Sequence, residues 1–289
     1  MVNQPFTAMA FERPGGIALS ADVGGYVGAP AVVLLHGGGQ TRRSWSGAAK
    51  ALAANGYYVI NLDARGHGDS DWAADGRYTL DVLATDVSAV LAQVPGPFAL
   101  VGASMGGVTA LHLAASGAAP DVAALVMVDI VPRIEQAGSD RIRTFMRSNP
   151  NGFASLEEAS EAVASYYPLR PRPRDPTGLK ANLRLRDDGR LHWHWDPRLI
   201  HGEHALEPPA FSDALLSASR RVNIPVMLVR GLRSDIVSDA GVEEFRGVIP
   251  HLEVFEVSQA GHMVAGDKND AFNAGVLGFL GRHFPARGI

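Results

Sequence analysis

The sequence predicts an α/β protein: a mostly parallel sheet of about eight strands, helices on both faces, and a cap inserted between two strands. Three observations predict it. Short apolar runs alternate with segments of helical period from Ala31 to Asp129. That alternation stops near Pro132 and resumes only at Val222. In the first half, the apolar run Phe98–Val101 feeds Gly102-Ala-Ser-Met-Gly106, and a helical pattern follows from Val108 to Ala115.

Taken in order, Met9–Val23 alternates and breaks at Pro14-Gly15-Gly16, the pattern of two antiparallel strands. Ala31–Leu35 is continuously apolar, as a strand buried on both faces should be. Ser44–Asn55 reads as a helix stopped by Gly56, and Tyr57–Leu62 as the next strand. Thr79–Gln93 is a helix with Leu80, Leu83, Ala84, Val87, Val90 and Leu91 on one face. Val122–Asp129 is a further strand. Helices within Ser139–Arg147 and Ser155–Tyr166, a loop over Arg170–Pro176 and a hairpin around Asp188-Gly189 fill the irregular stretch. The closing elements are a strand at Val226–Val229, a helix at Ala240–Val248, a strand at His251–Val257 and a helix at Ala271–His283. Residues 1–131 and 214–289 are thus expected to form the core, and 132–213 the cap.

Composition narrows the function. A net charge of −4 argues against nucleic acid or an anionic membrane as partner. The cap stretch from Arg133 to Asp213 balances twelve basic against twelve acidic residues, so its arginines do not add up to an anion funnel. With no cysteine, thiolate catalysis and cysteine metal sites are excluded. No secretory pattern opens the chain and no apolar run approaches the ~20 residues of a membrane span, so a cytoplasmic location is expected.

Ligands of open parallel sheets bind beyond the carboxyl ends of the strands. The residues there are His36–Gly39, Asp63–Gly68, Ser104–Met105, Asp129, Asp235 and His262. Ser104 sits between a strand and a helix, where small neighbours allow a sharp turn and the helix N-terminus favours developing negative charge. His262, between the last strand and the last helix, can take the Ser104 proton and return it to a leaving group. Asp235 is expected to orient His262, with Asp129 as the alternative acid or a neighbour of the site. Gly38 and Met105 are expected to supply the two backbone N–H donors for an oxyanion, with Gly39 possible. Asp63-Ala-Arg-Gly-His-Gly-Asp-Ser70 reads as a structural turn in which Asp63 and Arg65 brace neighbouring loops. His192-Trp-His-Trp-Asp196 has the spacing of a di-zinc hydrolase motif, but Pro197 stands where that pattern needs another histidine, so no metal is expected. Strand alternation puts Trp193 and Trp195 on the face opposite His192 and His194, where they can line a substrate pocket with Gly39 or simply anchor the cap.

Across nearly its whole length the chain resembles the α/β-hydrolase family. The carrying residues are His36-Gly-Gly-Gly39, Asp63-Ala-Arg-Gly-His-Gly68, Gly102-Ala-Ser-Met-Gly106, Asp235 and Gly261-His262. The chain order Ser104, Asp235, His262 is the order of that family. The resemblance is to its capped serine branches: carboxylesterases, cofactor-free haloperoxidases and carbon–carbon bond hydrolases. It implies a cofactor-independent serine hydrolase that cleaves a small or medium carboxylic ester through an acyl-enzyme. Carbon–carbon cleavage or perhydrolysis on the same triad stays open, as does a small-molecule receptor on a hydrolase fold. Nothing in the sequence sets the oligomeric state.

Overall fold

The structure is a computed structural model, and it describes residues 3–13, 15–166, 175–205, 208–262, 264 and 269–286. Its centre is one eight-stranded sheet. In chain order the strands are β1 (Asn3–Arg13), β2 (Ile17–Tyr26), β3 (Ala31–Leu35), β4 (Tyr58–Leu62), β5 (Phe98–Ala103), β6 (Val122–Val128), β9 (Val226–Gly231) and β10 (Leu252–Val257). Two short strands, β7 (Leu183–Leu185) and β8 (Leu191–Trp193), form a separate antiparallel hairpin. The sheet order is β1-β2-β4-β3-β5-β6-β9-β10. Pairing is antiparallel from β1 to β2 and from β2 to β4, and parallel from β4 to β10. The expected mostly parallel sheet is therefore the one found.

Side-chain alternation along the buried strands builds two cores. Val33, Leu35, Leu100, Leu125 and Leu228 face one side, where they meet α2 (Leu80–Leu91), α3 (Met105–Ser116), α7 (Pro208–Ser219) and α8 (Asp239–Val248). Val32, Leu34, Val101, Val126 and Val229 face the other, against α1 (Ser46–Ala54) and α9 (Asn269–His283). The expected apolar face of α2 is the buried one. The order reverses between β3 and β5, since the chain runs from β3 to β4 on one side and then to β5 on the other. That crevice, at the carboxyl ends of β3 and β5, is where such sheets bind ligands.

The segment between β6 and β9 carries α4 (Gln136–Arg147), α5 (Leu156–Tyr166), the β7–β8 hairpin and the short α6 (Arg198–His201). It has a third apolar cluster of its own, in which Phe153, Leu183, Trp193, Trp195 and Leu199 pack with Ala73 and Tyr78 from the loop after β4. The expected loop at 170–176 lies mostly outside the described residues. Helix α7 runs straight through the expected core limit at 213/214, and its Leu215 belongs to the core cluster of the sheet. Among the described residues no helix is long and apolar enough to cross a membrane.

Candidate active site

Strand β5 ends and α3 begins at Ser104, whose backbone sits at φ 46°, ψ −115°. This is a strained conformation for a residue with a side chain, and surrounding contacts must hold it. Here close packing does so. A Cβ on Gly102 would fall 2.4 Å from the Gly106 carbonyl, one on Gly106 would fall 2.3 Å from the Leu35 oxygen, and one on Gly107 2.5 Å from Ile130. The glycines around Ser104 are thus required by the approach of α3 to β3, β5 and the segment after β6.

Asp129 follows β6 directly, is fully buried and also has a positive φ of 47°. Its Oδ1 accepts the Gly231 N–H at 2.9 Å. Its Oδ2 accepts the Ser234 hydroxyl, and the His262 Nδ1–H at 2.9 Å. Three donors converge on one carboxylate, which is how a buried anion is tolerated. The bond to Asp129 fixes the His262 tautomer and leaves its Nε2 as the basic nitrogen. Asp235, the acid expected from the sequence, does not meet His262. It is 32% exposed and ion-pairs with Arg141 of α4. The loop after β9 carries Asp235 out towards the inserted segment, where a Cβ on Gly138 of α4 would fall 2.2 Å from its carbonyl oxygen.

The Gly37–Gly39 turn follows β3 beside Ser104, and a Cβ on Gly37 would lie 3.4 Å from the Ser104 Cβ. Gly38 faces Met105 and Met146, whose sulfur atoms would lie 4.0 and 3.9 Å from a Cβ there. The Gly37 N–H donates to Gln40 Oε1 at 3.1 Å, and the Gly37 oxygen accepts the Gln40 N–H at 3.1 Å. No hydrogen bond occupies the Gly38 N–H among the described residues. Met105 opens α3, so its N–H is one of the unpaired groups of a helix N-terminus.

Ser104, Met105, Gly37–Gly39 and His262 line one cavity of about 300 Å³. Its walls are largely apolar and come from both the core (Ile130, Ile236) and the inserted segment (Met146, Leu199). Trp193 and Trp195 stack with ring centroids 4.9 Å apart and both line it, and Trp195 lies against Gly39. Asn182 and Arg143 add polar atoms to the wall. His192 lies outside it and pairs with Asp188 at 2.8 Å.

Asp63 and Arg65 brace loops, as the turn pattern suggests. Asp63 accepts the Arg42 backbone N–H at 2.6 Å and the Asp69 N–H at 3.0 Å, while Arg65 is buried against Asp86. The sequence reading missed what the histidines beside this turn do. His36, His67 and His194 are all buried, with centroids 4.9 Å (His36–His67) and 5.9 Å (His67–His194) apart. Burial pushes the His36 pKa down. Burial, then the neighbouring His36 and His194, push His67 well below its ordinary value. Burial lowers His194 to about 4. All three are neutral imidazoles at neutral pH. The one signal in the sequence is the place of His36 and His67 in the two turns at the carboxyl edge; nothing there points to His194.

A family model described as the alpha/beta hydrolase fold matches residues 30–268. The chain is 31% identical to esterase Rv0045c of Mycobacterium tuberculosis, over 96% of this chain and 91% of the relative. A solved structure of that esterase superposes with a TM-score of 0.76 at 27% identity, covering 97% of this chain and 93% of the other. The crystal structure of E-2-(acetamidomethylene)succinate hydrolase superposes with a TM-score of 0.83 at 24% identity, covering 96% and 99% of the two chains, and bears on the fold alone.

Proposed function

The chain belongs to the α/β-hydrolase fold family, and we propose that it is a serine esterase whose triad is Ser104, His262 and Asp129. The observation that carries this reading is the hydrogen bond from His262 Nδ1 to the buried Asp129, in a cavity that Ser104 also lines. Full-length similarity to an esterase supports the ester as the bond cleaved.

In this mechanism the Ser104 oxygen attacks the ester carbonyl as its proton passes to His262 Nε2. Asp129 holds the opposite ring nitrogen and stabilises the imidazolium that forms. The carbonyl oxygen becomes an oxyanion, held by the N–H groups of Gly38 and Met105. Collapse breaks the C–O bond, and the alcohol leaves with the proton from His262. Water then attacks the acyl-enzyme by the same route, and the carboxylic acid departs. The segment between β6 and β9 acts as a cap, excluding bulk water from the site.

The substrate is a predominantly apolar ester of modest size. The test is hydrolysis of a chain-length series of p-nitrophenyl esters by wild type and Ser104→Ala. Turnover that is lost in the variant supports the reading. Equal turnover in both would refute it.

A further inference from the structure

Three consecutive peptide groups of the oxyanion turn are each gripped by a different buried imidazole. The Gly37 oxygen accepts from His36 Nδ1–H at 2.8 Å. The Gly39 N–H donates to His67 Nε2 at 3.0 Å. The Gly39 oxygen accepts from His194 Nε2–H at 3.3 Å. The far nitrogen of each ring is fixed in turn. His36 Nε2 accepts the Ala64 N–H at 2.9 Å, His67 Nδ1–H donates to the Arg65 oxygen at 3.0 Å, and His194 Nδ1 accepts the Gly68 N–H at 2.8 Å. Every ring therefore needs one bare and one protonated nitrogen, and each tautomer is set by its partners.

The consequence follows from peptide geometry. A trans peptide is planar, and its C=O and N–H point in opposite directions. Fixing the Gly37 oxygen therefore aims the Gly38 N–H. Fixing the next two peptide groups stops Gly38 and Gly39 from turning, although glycine itself imposes little restraint. His194 differs from the other two in origin. It comes from the inserted segment, just after β8, and its neighbours reach the same region: the Asp196 N–H donates to the Gly66 oxygen at 2.9 Å, and Trp195 lies against Gly39.

Building on the esterase reading, we propose that His67 and His194 are positioning residues that aim the Gly38 N–H, and that His194 makes the oxyanion hole complete only when the inserted segment is seated on the core. Seating the cap then does two things together: it closes the apolar cavity and it locks the donor that stabilises the transition state. The burial that keeps these rings neutral serves the same arrangement, because a second ring proton would set N–H against N–H at Ala64, Gly39 or Gly68.

The test compares His194→Phe, which keeps an aromatic ring and loses both hydrogen bonds, with His194→Gln, whose amide can still donate to the Gly39 oxygen. Loss of a whole oxyanion donor costs about 10²–10³ in kcat, so a misaimed one should cost roughly 10- to 100-fold in His194→Phe, with KM changed less than about threefold. Binding of a trifluoromethyl ketone, which forms an oxyanion on the serine, should weaken by the same factor. His194→Gln should recover most of both. His67→Leu and His67→Gln give the same comparison from the core side if His194→Phe does not fold. Unchanged kcat in the Phe and Leu variants, or lost kcat with ketone affinity intact, would overturn the proposal. Wild-type protein that neither hydrolyses esters nor binds the ketone would overturn the esterase reading, and this proposal with it.

Discussion

Two aspartates compete for the acid of the triad, and substituting each for asparagine separates them. In wild type the Asp129 carboxylate accepts from the Gly231 N–H, the Ser234 hydroxyl and the His262 Nδ1–H. An asparagine has one acceptor oxygen. With that oxygen kept on Gly231 N–H, its NH2 group faces His262 and forces Nδ1 to accept. The ring proton then sits on Nε2, where it blocks the transfer from Ser104. A wrong tautomer of this kind costs about 10⁴ in kcat in the serine protease template, so Asp129→Asn should lose roughly 10³–10⁴ with KM little changed. Asp235→Asn loses a partly exposed ion pair with Arg141, worth about 1 kcal/mol or less, so its kcat should stay within roughly fivefold of wild type. Initial rates on a short p-nitrophenyl ester measure both, with circular dichroism to verify folding. A loss above a hundredfold in Asp235→Asn, with Asp129→Asn still active, would refute the reasoning.

Three further outcomes follow from the geometry. Gly39→Ala forces a Cβ onto a backbone at φ +73°, 3.2 Å from Met146 and 3.3 Å from Trp195, and should cost about 1–2 kcal/mol in stability as well as activity; an unchanged urea midpoint would contradict this. Trp195→Ala enlarges the cavity beside the oxyanion turn and should move the optimum of an ester series to longer chains; a fixed optimum would place the acyl chain elsewhere. The neutral buried histidines should make the protein lose stability in acid. Their folded pKa values lie below the unfolded value of about 6.5, so the unfolded chain binds more protons as pH falls below ~6.5. The stabilisation is complete above that pH and, for His194, is lost progressively down to about 4. That one residue should account for about 2 kcal/mol between pH 7.5 and 5, and His194→Gln should flatten the urea stability profile by that amount; an unaltered profile would count against it.

Much of this was legible in the sequence for physical reasons. Short apolar runs with no alternation, bounded by turn residues, fit strands buried on both faces, which put β3, β5 and β6 in the middle of the sheet. The glycines of Gly102–Gly107 announced a close strand–helix approach, and the distances at Leu35 and Ile130 bear that out. The sequence pairs His262 with Asp235 where the structure pairs it with Asp129, because the two aspartates follow neighbouring parallel strands, about 4.8 Å apart in a sheet. What distinguishes them is local. Asp129 interrupts the apolar run Val126-Met-Val-Asp-Ile-Val131, so it must be buried, and a buried carboxylate needs donors. Asp235 lies four residues beyond the end of β9 in a polar stretch, far enough for the loop to carry it to Arg141. Helix α7 was missed because it opens on two prolines, which read as loop although the first turn of a helix tolerates them. The imidazole grip on Gly39 could not be read at all, since His67 and His194 come together only through the docking of the inserted segment.

The central claim is that Ser104 is a nucleophile activated by His262 and Asp129. The most direct measurement is covalent labelling by a fluorophosphonate, followed by mass spectrometry of the intact protein and its peptides, for wild type and Ser104→Ala. The account predicts a single adduct per wild-type chain, on the peptide that contains Ser104, and none on the variant. Labelling that persists in Ser104→Ala, or that maps to another residue, would contradict it.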